Sequence, residues 1–329
     1  MSAFYRVEGN HIVCQLCRHY CKLKEGQVGV CGVNKNSNAK LENLVYGKVS
    51  AINIDPIEKK PLYHFLPGSK ALSIGTIGCN FKCPFCQNWQ ISQTKDSSNS
   101  YNLTPEQIVN LAIENECESI AYTYNEPTIF YPFAKDVALL AKKSGIKNIF
   151  VSNGFETPEI IEDMRGVIDA FNIDLKSFKQ DYYKKVLKGT LEGVLDTLER
   201  VKKGGFWLEV TTLIVPGDND SSKELTQIAT FIAKNLGVNT PWHISAFHPD
   251  YKVQDKEATS LEMLNRAYKI GKEAGLEYIY IGNVLSDGIT YCPKCGAELI
   301  KRVGYKVVEN RLIDGKCYRC GEDISGVWK

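Results

Sequence analysis

The feature that most constrains the fold of this chain is an alternation of short apolar segments and capped helix patterns between residues 71 and 281. Thr104-Pro105-Glu106-Gln107 combines a helix N-cap, a proline at the first helical position and a capping-box glutamine. Thr157-Pro158-Glu159 repeats the first two signals. The apolar segments between the helices predict strands at residues 71–77, 119–123, 147–152, 167–175, 207–215, 242–247 and 278–281.

Strands that alternate with helices predict an α/β fold with a parallel sheet and short right-handed crossovers. The 329 residues are few for a complete eightfold barrel with additional modules, so we expect a partial, TIM-like barrel of about six βα units. The cysteine pattern described below divides the chain into three predicted regions. Residues 1–45 form a four-cysteine metal-binding module, residues 46–285 form the barrel, and residues 286–329 form a zinc ribbon.

Three cysteines in the spacing CxxxCxxC, Cys79, Cys83 and Cys86, follow the first predicted strand of the barrel. Three thiolates can hold three irons of a cubane cluster and leave the fourth iron without a protein ligand. A structural zinc site is the alternative, but no fourth ligand follows nearby. The spacing therefore predicts a [4Fe–4S] cluster with one open iron.

Polar side chains lie in or directly after the later strands. In a parallel sheet such residues collect at the carboxyl ends of the strands, so we expect them to share one cavity with the cysteine loop. The alternatives are a turn residue, an exposed ion pair, or a histidine that is satisfied within the core. The residues expected at this cavity are Asn125, Glu126, Ser152, Asn153, Asp174, Lys176, Thr211 and His243.

The N-terminal cysteines, Cys14, Cys17, Cys21 and Cys31, lie in a turn-rich stretch with several glycines. Four soft ligands in such a stretch can close a tetrahedral zinc site, in which the metal replaces a core too small to fold alone. An auxiliary iron–sulfur cluster is the alternative. We favour structural zinc because closed all-cysteine sites are commonly zinc sites.

The C-terminal cysteines form two CxxC knuckles, Cys292 with Cys295 and Cys317 with Cys320, separated by a hairpin-like stretch. This is the pattern of a zinc ribbon. We expect a small stabilising module. A ribbon can also bind a partner or nucleic acid.

The charges of the chain nearly cancel, with 40 Lys and Arg against 38 Asp and Glu. This balance predicts no general attraction to nucleic acid or to an anionic membrane. No apolar segment is long enough to span a bilayer, and no basic and apolar leader opens the sequence. All but one of the twelve cysteines fall in the three groups above, which suits metal sites rather than disulfides. We therefore expect a soluble cytoplasmic protein.

The cysteine loop resembles that of the radical S-adenosylmethionine (SAM) superfamily, in particular the branch of pyruvate formate-lyase activating enzymes. Phe85 before the last cysteine and Gln87-Asn88 after it extend the match. The resemblance implies a barrel of the radical SAM type and SAM chelated to the open iron through its amino and carboxylate groups. It also implies one-electron cleavage to methionine and a 5′-deoxyadenosyl radical, with an electron donor such as flavodoxin or ferredoxin.

This resemblance implies roles for the residues expected at the cavity. Glu126 suits the ammonium group of SAM, and Lys176 suits its carboxylate. The remaining expectations are that Ser152 and Asn153 bond the ribose hydroxyls, Phe85 contacts the adenine, and Asp174 orients Lys176 or meets the substrate. Asn125-Glu126 stands where many relatives carry Gly-Gly-Glu, so close backbone approach to the cofactor is less assured there.

The whole chain resembles the radical SAM protein of the AmmeMemoRadiSam system. The residues that carry this resemblance are Cys14, Cys17, Cys21, Cys31, the loop 79–88, the stretch 122–127, Val215-Pro216-Gly217, His248-Pro249-Asp250-Tyr251, and the terminal ribbon ending Gly326-Val327-Trp328. The resemblance implies Memo-like and AMME-like partner proteins but identifies no substrate.

Three hypotheses follow for the function. The first is a radical SAM enzyme that abstracts hydrogen from, or forms a carbon–carbon bond on, a small molecule or a substrate presented by a partner. The second is an activating enzyme that places a glycyl radical on another protein. The third is a non-catalytic scaffold stabilised by metals, against which the intact Glu126 and Lys176 argue.

Overall fold

The computed structural model of the protein describes residues 4–285 and 288–329. Its centre is an eight-stranded sheet whose strands we number in chain order. They are β1 (Ala51–Pro56), β2 (Lys70–Gly75), β3 (Ser119–Tyr122), β4 (Lys147–Ser152), β5 (Ala170–Asp174), β6 (Trp207–Ile214), β7 (Trp242–Ala246) and β8 (Ile279–Gly282). Neighbours in the sheet are neighbours in the chain, and β2 through β8 run parallel.

Helices connect the parallel strands. The longer ones are Pro105–Glu114, Tyr131–Lys143, Pro158–Asp163, Leu191–Lys203, Ser222–Phe231 and Leu261–Glu273, with shorter helical segments at Trp89–Ser92, Gln180–Tyr182, Tyr183–Leu187, Ile232–Leu236, Ile57–Lys59 and Pro127–Phe130. The predicted capping box forms, because Thr104 accepts from the Gln107 amide while the Gln107 side chain accepts from the Thr104 amide. The predicted partial α/β barrel is confirmed.

One strand of the sheet is absent from the predicted elements. Residues 46–70 contain Pro56, Pro61 and Pro67, yet Ala51–Pro56 pairs antiparallel with β2 from Gly75 to Lys70. The free edge of β2 supplies hydrogen-bonding groups that need a partner, and this segment covers them. The formation of β1 therefore depends on the neighbouring strand rather than on a local apolar pattern.

A plug formed by residues 57–66 closes the amino end of the barrel. Ile57, Leu62 and Phe65 are buried in one cluster with alanines and an isoleucine of the parallel strands. The C-terminal tail seals the plug from outside, since the Leu66 amide donates to the Val327 carbonyl and the Val327 amide to the His64 carbonyl. The opposite, carboxyl end of the barrel is left open for a site.

The C-terminal segment is also attached through a buried ion pair. Arg302 is 1% exposed, and its Nε lies 3.3 Å from Glu58 Oε1, while Nη2 donates to the Tyr63 carbonyl at 2.7 Å. This segment contains strands Thr290–Tyr291, Glu298–Val303, Lys306–Asn310, Leu312–Ile313 and Lys316–Cys317. The predicted C-terminal region begins at residue 286, and residues 286 and 287 lie outside the described residues. Residue 1, where the predicted N-terminal region begins, also lies outside them.

The N-terminal segment forms a small antiparallel sheet and a hairpin. The strands are Tyr5–Glu8, His11–Cys14, Lys22–Lys24, Asn34–Ser37 and Lys40–Asn43, and a further two-stranded ladder joins Lys48–Val49 to Tyr101–Asn102. The side-chain amides of Asn34 and Asn43 both donate to the Ile129 carbonyl at 2.8 Å, which fixes the hairpin to the barrel. Among the described helices, none has the length and apolar character needed to cross a membrane.

Candidate functional site

A cavity of about 380 Å³ opens at the carboxyl ends of the parallel strands. This volume lies within the range of small-molecule sites. Cys79, Cys83 and Cys86 line it together with polar residues that follow β3, β4 and β5. The predicted site residues that the structure brings to this cavity are Cys79, Cys83, Cys86, Asn125, Glu126, Ser152, Asn153, Asp174 and Lys176.

The cysteine loop is held at its start by Asn125. The Asn125 Nδ2 group donates to the Gly78 carbonyl at 2.9 Å and to Thr76 Oγ1 at 3.1 Å. Its Oδ1 atom accepts from the Thr76 amide at 3.3 Å. The side chain of Asn125 therefore positions the loop through its own hydrogen bonds, in addition to lining the cavity.

The three thiols of the loop suit a soft, positively charged group. Burial raises the pKa of Cys83 to about 12 and raises the pKa of Cys79 further above its ordinary value. Buried thiolates are therefore costly unless a metal neutralises them. Three sulfur donors without a fourth protein ligand in the loop fit an iron–sulfur cluster better than a closed zinc site.

Glu126 belongs to a buried carboxylate pair. It accepts from Thr128 Oγ1 at 2.6 Å and from the Asn153 amide at 2.8 Å, and Ser152 Oγ bridges it to Glu156. Burial, followed by the charge of Glu156, raises the pKa of Glu126 to about 8. A cationic ligand group beside this pair would stabilise the ionised form. Sequence reasoning missed Glu156, although it follows the end of β4 by four residues.

Asn153 presents an unused acceptor within the same network. Its Nδ2 group donates to Asn80 Oδ1 at 2.7 Å, whereas its buried Oδ1 atom has no hydrogen-bond partner among the described residues. A buried acceptor without a partner costs free energy, so this atom suits a ligand hydroxyl or ammonium group.

Lys176 forms an ion pair at the end of β5, with Nζ 2.6 Å from Asp174 Oδ2. Burial alone would lower the pKa of Lys176, but the Asp174 carboxylate and the Cys83 sulfur together raise it above its ordinary value. Lys176 is therefore a permanent cation beside the cysteine loop. Asp174 is 30% exposed and orients it.

This combination of a barrel, a three-cysteine loop and a charged cavity can be compared with known proteins. The family model of the Radical SAM superfamily matches residues 73–231, which span the loop and the strands around it. Residues 73–231 form a domain of the radical SAM superfamily. The predicted superfamily is therefore confirmed for these residues, and this superfamily implies SAM and a [4Fe–4S] cluster as cofactors.

Two sequence relatives and one solved structure show which known proteins are similar to this radical SAM protein. It is 44% identical over 98% of both chains to the uncharacterized protein MJ0808 of Methanocaldococcus jannaschii. It is 23% identical to the pyruvate formate-lyase-activating enzyme of Clostridium pasteurianum, over 60% of this chain and 87% of that one. A radical SAM methyltransferase from Sphaerobacter thermophilus shares the fold, with a TM-score of 0.53 and 17% identity over 66% of this chain and 67% of that chain.

Three residues predicted to contact the cofactor do not line the cavity of this radical SAM protein. Phe85 is 4% exposed and packs in the main apolar core. Thr211 Oγ1 donates to Asn172 Oδ1 at 2.9 Å, and His243 Nε2 lies 2.6 Å from Glu209.

The plug is the physical reason for the placement of Thr211 and His243. Glu209 accepts from the amides of Tyr63 and His64 at 3.0 and 2.8 Å, and Asn172 Nδ2 donates to the Pro61 carbonyl at 2.8 Å. Glu209 and Asn172, which bind His243 and Thr211, are therefore occupied by the plug.

A second cavity of about 440 Å³ adjoins the first. Gln87, Asn283 and Tyr305 line both cavities, and Tyr305 lies in the turn between strands Glu298–Val303 and Lys306–Asn310. The C-terminal segment thus supplies part of the wall around the radical SAM site. Tyr124 stands at the other side of the opening, where its hydroxyl donates to Asp55 at 2.9 Å.

The two terminal cysteine groups differ in geometry. The ligand atoms of Cys292, Cys295, Cys317 and Cys320 all lie within 4.8 Å of one another, close enough for one metal ion. In the rest of the described chain, no other three Cys, His, Asp or Glu ligand atoms meet that limit. The N-terminal group, Cys14, Cys17, Cys21 and Cys31, is largely buried beside the loop that precedes Cys79.

Proposed function

We propose that this protein cleaves SAM reductively at a [4Fe–4S] cluster held by Cys79, Cys83 and Cys86. The resulting 5′-deoxyadenosyl radical would abstract hydrogen from, or form a carbon–carbon bond on, a small molecule or a substrate presented by a partner. The observation that carries the proposal is the meeting of the three thiols of the cysteine loop, the buried Glu126 carboxyl and the Lys176 cation at one cavity.

The chain's own residues bind and orient SAM in this proposal. Glu126 accepts the hydrogen bonds of the ammonium group, which draws the buried carboxylate into its ionised form. Lys176 donates to the carboxylate of SAM, while Ser152 and the free Oδ1 of Asn153 bond the ribose hydroxyls. The cluster, when bound, supplies the electron that breaks a carbon–sulfur bond of SAM.

The second cavity offers space for the substrate. It adjoins the SAM cavity through Gln87, Asn283 and Tyr305, so a group placed there faces the site where the radical forms. Because Tyr305 comes from the C-terminal segment, that segment contributes to substrate recognition as well as to stability. Zinc is the proposed ion of its four-cysteine site, as the tetrahedral spacing of the sulfurs supports.

The proposed partners are Memo-like and AMME-like proteins, together with flavodoxin or ferredoxin as electron donor. The resemblance of the whole chain to the AmmeMemoRadiSam protein supports them, including both terminal cysteine groups. A cytoplasmic location is part of the same proposal. The partner proteins are the first source to test for a substrate.

The test is anaerobic reconstitution with iron and sulfide, followed by reduction in the presence of SAM. We expect 5′-deoxyadenosine and methionine in equal amounts from the native chain and none from the C79A/C83A/C86A variant. Absence of deoxyadenosine from the native protein, with its cluster present and partner proteins added, would refute the proposed activity.

A glycyl-radical activating enzyme is the second candidate. The alignment with the activating enzyme of Clostridium pasteurianum, which covers 87% of that protein, favours it. This function requires a partner whose backbone glycine loses a hydrogen atom. Electron paramagnetic resonance of partner proteins after turnover decides between the two candidates, because only the second predicts a stable glycyl doublet.

A further inference from the structure

The N-terminal cysteines pack directly against the loop that carries Cys79. Gly78 has a φ of 83°, and a Cβ atom there would lie 2.6 Å from the Cys31 carbonyl oxygen. Only glycine permits this approach. The backbone of Cys31 is therefore in contact with the residue that precedes Cys79.

A second contact joins the N-terminal cysteines to the same loop. His19, two residues after Cys17, places Nε2 2.9 Å from the carbonyl oxygen of Asn80, and its ring packs edge-on against Phe155. The path from Cys17 to Cys79 thus runs through two short backbone stretches and one hydrogen bond. The other side of the N-terminal group reaches solvent, since Val28 and Val30 are 43% and 47% exposed.

The spacing of the sulfur atoms distinguishes two kinds of metal site. Tetrahedral zinc with Zn–S bonds of about 2.3 Å holds its sulfurs about 3.8 Å apart. The C-terminal group fits this spacing, with sulfur pairs at 3.6 and 3.7 Å. In a cubane cluster each cysteine binds a different iron, so the sulfurs lie farther apart.

Within the described residues, the N-terminal sulfurs do not have the close spacing of the C-terminal group. Across the described residues, neither the N-terminal group nor the Cys79 loop contains three sulfurs within 4.8 Å of one another. The N-terminal group and the loop expected to hold a cubane cluster therefore both lack the close sulfur spacing of the ribbon.

A hydrogen-bond donor lies near a sulfur atom of each of these two groups. The Phe81 amide donates to Cys79 Sγ at 3.4 Å. Asn34 Nδ2 adds a donor 3.5 Å from Cys31 Sγ, and such bonds tune the potential of iron–sulfur clusters.

We propose that Cys14, Cys17, Cys21 and Cys31 hold a second [4Fe–4S] cluster, which passes electrons to the cluster of the Cys79 loop. The electron-transfer part rests on the proposed function. A low-potential one-electron donor protein loses one electron to the N-terminal cluster, which passes it on and returns to its oxidised state. That electron is consumed when the carbon–sulfur bond of SAM breaks. Zinc, which the sequence pattern favours at this site, has no redox chemistry and would carry no electron.

The first test counts metals in the reconstituted C79A/C83A/C86A variant. We expect about four irons and four sulfides per chain, against about eight of each in the native protein, and a reduced-cluster resonance that SAM does not alter. Iron near zero with a second equivalent of zinc would overturn the proposal. This readout does not depend on enzyme activity.

The second test separates electron delivery from a structural role. We expect the ratio of flavodoxin-supported to dithionite-supported SAM cleavage to fall at least tenfold in C14A/C17A. In the matched variant C117A, which removes a buried thiol outside all three groups, we expect no change in this ratio. An unchanged ratio in C14A/C17A would overturn the electron-transfer assignment.

The two proposals fail in different ways. If the triple variant keeps four irons while the native protein forms no deoxyadenosine, the N-terminal cluster stands and the proposed activity falls. If the native protein cleaves SAM while the triple variant holds no iron, the activity stands and the N-terminal cluster falls. Should C14A/C17A not fold, the iron count of the triple variant still decides the cluster assignment.

Discussion

Replacing Glu126 by glutamine tests two properties separately. One is how much the buried carboxylate destabilises the fold, and the other is how much it contributes to SAM binding. The pKa of Glu126 is raised from 4.5 to about 8, first by burial and then by Glu156. In the unfolded chain the carboxyl ionises above pH 4.5, whereas in the folded chain it stays protonated up to about pH 8. The folded state is therefore progressively penalised between these values, and stability present below pH 4.5 is lost as the pH rises.

The size of this effect follows from the two pKa values. At about 1.36 kcal/mol per pH unit, the difference amounts to about 5 kcal/mol above pH 8. Glutamine removes that penalty, but its amide hydrogens face the Asn153 amide, which costs about 1–3 kcal/mol. We expect E126Q without SAM to be roughly 2–4 kcal/mol more stable than the native chain at pH 8.5. For a chain of this length that corresponds to a rise in Tm of about 3–6 °C.

The assay is thermal unfolding of the cluster-loaded protein without SAM at pH 4.5 and pH 8.5, paired with equilibrium SAM binding. At pH 4.5 the ionisation penalty is absent, so E126Q should be about 1–3 kcal/mol less stable than the native chain, because only the cost of the amide hydrogens that face the Asn153 amide remains. E126Q should bind SAM about 10- to 150-fold more weakly, because it loses a charge-assisted hydrogen bond. E114Q, at an exposed helix position, should change neither property.

Two results would refute this reasoning about Glu126. An equal difference in Tm at both pH values would show that its carboxyl is not held protonated by its surroundings. Native SAM affinity in E126Q would show that it does not receive the ammonium group.

Three further substitutions test other parts of the structure. K176A should weaken SAM binding at least tenfold through loss of a charged donor, whereas K185A, at a surface pair that is 75% exposed, should not; equal affinities would contradict the assigned role. E209A should lower the free energy of unfolding in urea by about 3–5 kcal/mol, because it leaves the plug amides and His243 without their buried acceptor. The SAM affinity per folded chain should stay native, and a loss of affinity matching that of K176A would place Glu209 in the SAM site. G78A should lower stability by about 2–4 kcal/mol because the new Cβ meets the Cys31 carbonyl, whereas G145A, with a similar φ and open space around it, should cost about 1 kcal/mol; equal melting temperatures would contradict the close approach.

Local patterns were sufficient for much of the barrel. The strand β4 occupies Lys147–Ser152 as predicted, and the helices begin at the capping residues Thr104 and Thr157. Caps and apolar periodicity act over a few residues, so the sequence specifies them without knowledge of distant contacts. The edge strand β1 was missed because its pairing partner, not its own pattern, makes it a strand.

The candidate site shows the same limit in the interior of the barrel. Glu126, Ser152 and Lys176 follow or end strands, and the rule of carboxyl ends places them at the cavity. Thr211 and His243 lie within strands, where the rule does not tell which interior side chains meet the plug. Glu156 escaped notice because its partnership with Glu126 joins the ends of two different strands.

The sequence by itself determined the cysteine loop, the alternation that builds the barrel and the positions of its polar strand ends, because each is a matter of spacing along a few residues. Only the tertiary structure decided that the plug occupies Glu209 and His243, that Glu156 shares the proton balance of Glu126, and that Cys31 reaches Gly78. These contacts join segments far apart in the chain. Their existence depends on how close the packing brings two backbones or two charges, which no local pattern records.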